Sequence, residues 1–258
     1  MLKHLFTTTY AIILSLNVVG CGGGGGGEES TEACASLKIA GGQGCSAPPN
    51  AIVVVSSVEG ECSGTFITNR QVLTAAHCVP DRNAQYTVSN AFLQASVERI
   101  DVHPLFNDGV PSSGFDVAVL TVSGNAPVTP VFIEVSQPVI SGDKLVAYGF
   151  GLDQERNTAP ERIIDGEAAL KATYLSATTV SDYSINTISD GSGDTCAGDS
   201  GGPILRQVAD GSYGVVAVVR YGPTRCVAFQ PVESENTNLQ AVSILNFATQ
   251  AAPGVRVR

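Results

Sequence analysis

Short apolar and β-branched runs, each cut off by Gly, Pro, Asn or Ser, limit what this chain can fold into. They fall at residues 51–58, 64–67, 71–75, 96–102, 117–122, 144–150, 168–174, 203–205 and 213–219. Runs of that length and spacing predict an all-β protein, a sandwich or a pair of barrels. One segment, 239–250, carries a helical pattern: Leu239, Val242 and Leu245 share a face, and Asn238 is placed to cap it. With 258 residues, 43% of them hydrophobic and only 15% charged, the chain has the material for a real core. Its net charge of -10 comes without clusters of Lys and Arg, which excludes a nucleic-acid partner.

The first twenty residues differ in kind. Lys3 precedes an apolar stretch, 10–19, that is too short to span a bilayer, so residues 1–20 are expected to be an export signal. Its end, Val18-Val19-Gly20-Cys21, resembles the lipobox of bacterial lipoproteins, which implies lipidation of Cys21 and anchoring in the cell envelope. The glycine tract 22–27 then serves as a flexible tether. Gly22, standing where an acidic residue would signal inner-membrane retention, points to the outer membrane. Ordinary signal cleavage and secretion is the alternative.

Setting Cys21 aside leaves six cysteines, an even number in an exported chain, where disulfides persist. Arithmetic alone allows about fifteen connectivities. Context favours a Cys62–Cys78 bridge, which would clamp the loop carrying His77, and a Cys196–Cys226 bridge around Ser200, leaving Cys34 and Cys45.

Three motifs carry chemistry: Thr74-Ala75-Ala76-His77-Cys78, Phe115-Asp116-Val117-Ala118-Val119-Leu120 and Gly198-Asp199-Ser200-Gly201-Gly202-Pro203. A serine hydroxyl is a weak nucleophile near neutral pH and needs an imidazole to take its proton as it attacks a carbonyl. The imidazolium in turn needs a buried carboxylate to fix its tautomer. In composition and in the order His, Asp, Ser, the motifs resemble the trypsin/chymotrypsin family of serine proteases. That resemblance implies two packed six-stranded antiparallel β-barrels with a C-terminal helix, divided here as 39–135 and 136–258 behind a propeptide, 21–38. It also implies His77 as general base, Asp116 as its orienting group and Ser200 as nucleophile, with the amides of Gly198 and Ser200 forming the oxyanion hole. The G-x-S-x-G pattern around Ser200 also suits an α/β-hydrolase, but there the histidine follows the serine, and His4, His77 and His103 all precede it. His103 reads as structural. No cofactor or metal is called for by this chemistry.

Further expectations come from the same resemblance. Lys38-Ile39-Ala40-Gly41-Gly42 resembles the family's activation site, so cleavage after Lys38, by another protease or by the enzyme itself, would free an ammonium on Ile39 to pair with Asp199. Asp194, counted back from Cys196, stands where the trypsin branch places the carboxylate that selects Lys or Arg, with Thr195 and Gly222 beside it. Cys45 matches a family cysteine whose usual partner is missing, and Cys34 is the substitute; their bridge would keep the cleaved propeptide attached. Two departures stand out. Arg220 occupies the place of a serine that helps bury the triad aspartate, either competing for Asp116 or pointing to solvent, and the Pro-Gly segment after Cys226 that closes the pocket is not recognisable. These departures leave a rival reading, a protease-like binding module with impaired catalysis, and an esterase in the same fold is a further one. The leading expectation is an endopeptidase acting on protein or peptide substrates.

Overall fold

The computed structural model describes residues 50–108, 114–151, 170–191, 193–222 and 231–258. The candidate signal, tether, lipidation site and activation site, with Cys34, Cys45 and Cys226, lie outside them.

Six strands close a first barrel: β1 (Ile52–Ser57), β2 (Gly60–Phe66), β3 (Gln71–Thr74), β4 (Thr87–Asn90), β5 (Leu93–Val102) and β6 (Ala118–Val122). They are hydrogen-bonded in the ring order β1-β2-β3-β6-β5-β4 and are antiparallel throughout. After the two-residue β7 (Phe132–Ile133) come β8 (Lys144–Gly149), β9 (Lys171–Val180), β10 (Ser184–Ser189), β11 (Pro203–Gln207), β12 (Tyr213–Tyr221) and β13 (Glu233–Asn238). Their ring, β8-β9-β10-β13-β12-β11, closes through the β11–β8 pairing and repeats the order of the first. β7 adds to β12 as a parallel outer strand, and helix α1 (Val242–Ala251) ends the fold. The expected pair of six-stranded barrels with a C-terminal helix is therefore what forms.

The continuous apolar strands of the second barrel reflect burial on both faces. On β8, Leu145 and Ala147 fill their own barrel, while Val146 and Tyr148 join the core that includes the first barrel's Phe66, Val72 and Leu73. β11 and β12 divide likewise, Ile204, Val216 and Val219 inward and Leu205, Val215 and Val218 toward the shared core. Strands buried on both faces lose the polar-apolar alternation that one solvated face produces. Each large aliphatic side chain so enclosed contributes roughly 1.5–3 kcal/mol.

Three of the barrel strands are not legible as apolar runs. β10 alternates, burying Ile185, Thr187 and Ser189, and β13 buries Ser234, Asn236, Thr237 and Asn238, so the inward residues of both are largely polar. Asn236 Nδ2 donates to Ile185 O at 3.1 Å and to Thr187 Oγ1 at 3.0 Å, so its amide nitrogen is satisfied inside the barrel. The third, β4, is short, with Val88 its one buried residue. The helix also departs from expectation. Asn238 ends β13 instead of capping, its side chain donating to Ser181 O and accepting from Gln240 N, and α1 begins at Val242 behind Ala241. Leu239 is buried ahead of the helix, Val242 is 74% exposed, and the inward face is Ile244, Ala248 and Ala251. His103 is structural, as expected: its ring stacks on Phe115, Nδ1 accepts from Leu105 N, and Nε2 lies 3.2 Å from Ser243 Oγ.

One residue of the first barrel joins it to the second. Ser63 on β2, fully buried, donates its amide to Ser200 O at 2.8 Å and its hydroxyl to Gly198 O at 2.8 Å. The same hydroxyl accepts from Phe150 N at 2.9 Å, and its carbonyl accepts from Thr74 Oγ1 at 2.8 Å. Ser63→Ala removes the hydroxyl and strands a carbonyl and an amide at this seam. It is expected to lower unfolding free energy by about 2 kcal/mol with an unchanged denaturant slope, measured by urea denaturation; a loss below about 0.5 kcal/mol would show that the seam does not depend on it.

Candidate active site

Strand pairing brings His77 and Asp116 together. Thr74 at the end of β3 pairs with Ala118 at the start of β6, so running on from Thr74 and back from Ala118 leaves the barrel at the same rim. His77 comes after β3 in a single 3-10 turn, Ala76–Cys78, and Asp116 lies two residues before β6. Nδ1 of His77 is 2.6 Å from Asp116 Oδ2, and the His77 amide donates to Oδ1 at 2.9 Å. Asp116 is 1% exposed, and its backbone carbonyl accepts from Thr237 Oγ1. Because a carboxylate only accepts, the Nδ1 position carries the proton and Nε2 of the neutral ring presents its lone pair. The expected Cys62–Cys78 disulfide ties β2 to this turn, with Cys78 Sγ 3.8 Å from Nε2. The ring of Tyr221 lies parallel to the imidazole, centroids 6.3 Å apart.

Ser200 sits between β10 and β11, its carbonyl held by Ser63 and the adjoining turn tied to β12 by Gly201 N to Val219 O and Val219 N to Gly202 O. Gly201 adopts φ +81° and lies so close to Thr74 Oγ1 and Ser63 O that a Cβ would overlap both. The glycine therefore lets the serine turn rest directly on the first barrel. Among the described residues, the amides of Gly198 and Ser200 donate to no acceptor, whereas those of Asp199, Gly201 and Gly202 are engaged.

Three carboxylates around this site are fully or almost fully buried: Asp116, Asp199 and Asp194. Asp199 accepts from Gly151 N and Cys196 N, both at 2.8 Å. Gly149 and Gly151 make room for it, since a Cβ at either would run into the carboxyl group. Sequence reasoning misses those glycines; the available signal is Gly149-Phe150-Gly151 closing a strand. Asp194, 0% exposed, accepts from Thr195 N at 2.7 Å, while its Oδ2 has no hydrogen-bond partner among the described residues. Burial pushes its carboxyl up to about 6, against the opposing pull of the Thr195 amide and the Ser234 and Thr195 hydroxyls. Gly222 faces Thr195, and Ser234 of β13, also missed, lies 3.0 Å from Thr195 Oγ1. Asp194, Thr195 and Gly222 are thus brought together.

Arg220 points inward and not to solvent. It is 3% exposed, with Nε 3.6 Å from Asp116 Oδ2, Nη1 2.7 Å from Glu235 Oε1, and its Cζ 4.7 Å from the Tyr221 ring centre. The His77–Asp116 hydrogen bond is nevertheless intact. Cys196 is disulfide-bonded, and its expected partner Cys226 lies outside the described residues, as do Lys38, Ile39, Cys21, Cys34 and Cys45. No helix among the described residues is long and apolar enough to cross a membrane.

Comparison with known proteins places these features. The trypsin family model matches residues 39–233. Among curated proteins, the chain is 24% identical over 202 residues to CLIP domain-containing serine protease B4 of Anopheles gambiae, covering 65% of this chain and 56% of that one. It is 29% identical over 187 residues to Transmembrane protease serine 7 of Rattus norvegicus, covering 62% of this chain and 22% of the relative. The chain thus spans 56% and 22% of the lengths of these relatives. With a family match across both barrels and a His-Asp pair at the rim where the serine turn docks, the chain belongs to the trypsin family of serine proteases.

Proposed function

We propose that the chain is an endopeptidase that hydrolyses peptide bonds through an acyl-enzyme on Ser200, cleaving after Lys or Arg. The observation that carries the reading is the buried Asp116 holding His77 by two hydrogen bonds, so that Nε2 is left to take the Ser200 proton. As Ser200 Oγ adds to the scissile carbonyl, the proton passes to Nε2, and Asp116 stabilises the imidazolium. The oxygen that becomes negative is received by the amides of Gly198 and Ser200, each such donor worth roughly 3 kcal/mol. The imidazolium then protonates the leaving amine, and water, activated by the same imidazole, releases the acyl group.

Preference for Lys or Arg rests on Asp194, a fully buried carboxylate with one oxygen lacking a partner among the described residues. An ionised carboxylate in such surroundings calls for a cation. The chain is further read as a zymogen: cleavage after Lys38 frees the Ile39 ammonium, which pairs with buried Asp199 and orders the loop before Ser200. Residues 1–20 export it, Cys21 carries the lipid that holds it to the envelope, and a Cys34–Cys45 bridge keeps the cleaved domain attached. A protease-like binding module is the alternative, and the intact His77–Asp116 pair does not favour it.

A fluorophosphonate probe is expected to label the chain only after cleavage behind Lys38, with labelling lost in Ser200→Ala and in Ile39→Gly although both fold. Full labelling of Ile39→Gly would sink the zymogen reading, and absence of labelling in every form would favour the binding module. Asp194 supplies a pH signature. Its folded value, about 6, lies above its ordinary 3.8, so its ionisation costs stability as pH rises through that window and at every higher pH. Asp194→Asn is therefore expected to be more stable at neutral pH by of the order of 1 kcal/mol, measured by denaturation, while losing cleavage after Lys and Arg. In the wild type, binding of a small amidine inhibitor should weaken as pH falls through about 6; a flat inhibition profile would count against Asp194 as the cation site.

A further inference from the structure

Arg220 is a permanent cation enclosed beside the carboxylate on which the proposed triad depends. It enters the site through a break in strand pairing: Val219 pairs with Asn236 and Tyr221 with Glu235, so Arg220 is the extra residue of a β-bulge in β12. Bulges re-aim side chains, and this one turns Arg220 into the protein directly after buried Val219. Its guanidinium has five N–H donors and no neutral form, so it seeks acceptors wherever it is buried.

Those donors are unequally served. Nη1 meets Glu235 at 2.7 Å, and the guanidinium lies over the ring of Tyr221. Nε is buried without a hydrogen-bond partner among the described residues, and Asp116 Oδ2 is 3.6 Å from it, beyond hydrogen-bond reach. That same oxygen receives His77 Nδ1 at 2.6 Å. A guanidinium bound to both oxygens of a carboxylate is among the strongest polar pairs in proteins, so Arg220, if released, is a direct competitor for the group that orients His77. Glu235 is the group that restrains it. Its carboxylate, 41% exposed, approaches from the neighbouring strand through the residue paired with Tyr221.

We infer that Glu235 is a positioning residue: it anchors Arg220 at a distance from Asp116 so that both carboxylate oxygens remain with His77. The inference rests on the triad reading above. Without Glu235, the buried guanidinium satisfies Nε and Nη on Asp116, His77 loses its Nδ1 partner, and the base falls out of alignment. Among the described residues, the basic side chains within ion-pair distance of Asp116 are His77 and Arg220.

A double-mutant cycle on the cleaved, active enzyme tests this, using kcat and KM on a lysyl peptide amide together with the rate of fluorophosphonate labelling. Glu235→Ala is expected to lower kcat and the labelling rate about tenfold while KM changes less than about twofold. In an Arg220→Ser background the same substitution should change kcat less than about twofold, because no competitor remains. Glu235→Gln keeps an acceptor for Nη1 without its charge and should fall between, about threefold down; it serves if Glu235→Ala does not fold. Unchanged kcat in Glu235→Ala and Glu235→Gln, or an equal loss with and without Arg220, overturns the inference. An unlabelled wild-type enzyme overturns the triad reading instead and takes this inference with it.

Discussion

Ser63 is the residue on which the arrangement of the site depends. A two-barrel protein must fix the rim of one barrel against a turn of the other, and here Ser63 ties the first barrel to the serine turn through its amide and hydroxyl. Its amide holds the Ser200 carbonyl, its hydroxyl bridges Gly198 and Phe150, and its own carbonyl is braced by Thr74, three residues before His77. The apolar seam behind it supplies most of the adhesion, since area buried scales with free energy, but apolar contact is indifferent to small slippage. Hydrogen bonds are not, and four of them converge on this residue.

Buried acids divide the labour around that joint. Asp116 is satisfied by His77, and Asp199 accepts two backbone amides. Asp194 has one oxygen engaged and one without a hydrogen-bond partner among the described residues, and burial raises its carboxyl to about 6.

The chemistry is more legible in the sequence than the architecture beneath it. His77, Asp116 and Ser200 lie in compact motifs because each is fixed by its immediate neighbours: a turn after β3, a lead into β6, a glycine-lined bend. Strands β10 and β13 are not legible, because their inward residues are largely Thr, Ser and Asn, and an alternation of apolar side chains does not mark them. Ser63, Glu235 and the pair Gly149 and Gly151 escape notice for another reason. Their roles arise from partners far along the chain, Ser63 from a residue 135 away and Glu235 from a bulge that no local pattern announces. Arg220 stands out in the sequence as out of place, but whether it points inward is decided by that bulge.

The identical ring order of the two barrels gives the site a further meaning. In each barrel the third strand, β3 or β10, leads out at the rim, and the next segment of chain carries His77 in one and Ser200 in the other. The proposed base and nucleophile therefore occupy equivalent stations in two barrels of one topology, although no sequence repeat betrays it. The two barrels differ in what they carry at that station, a one-turn helix in the first and a glycine-rich bend in the second. The proposed reaction centre is in this sense assembled from corresponding loops of two barrels, and neither barrel alone holds a complete set of groups.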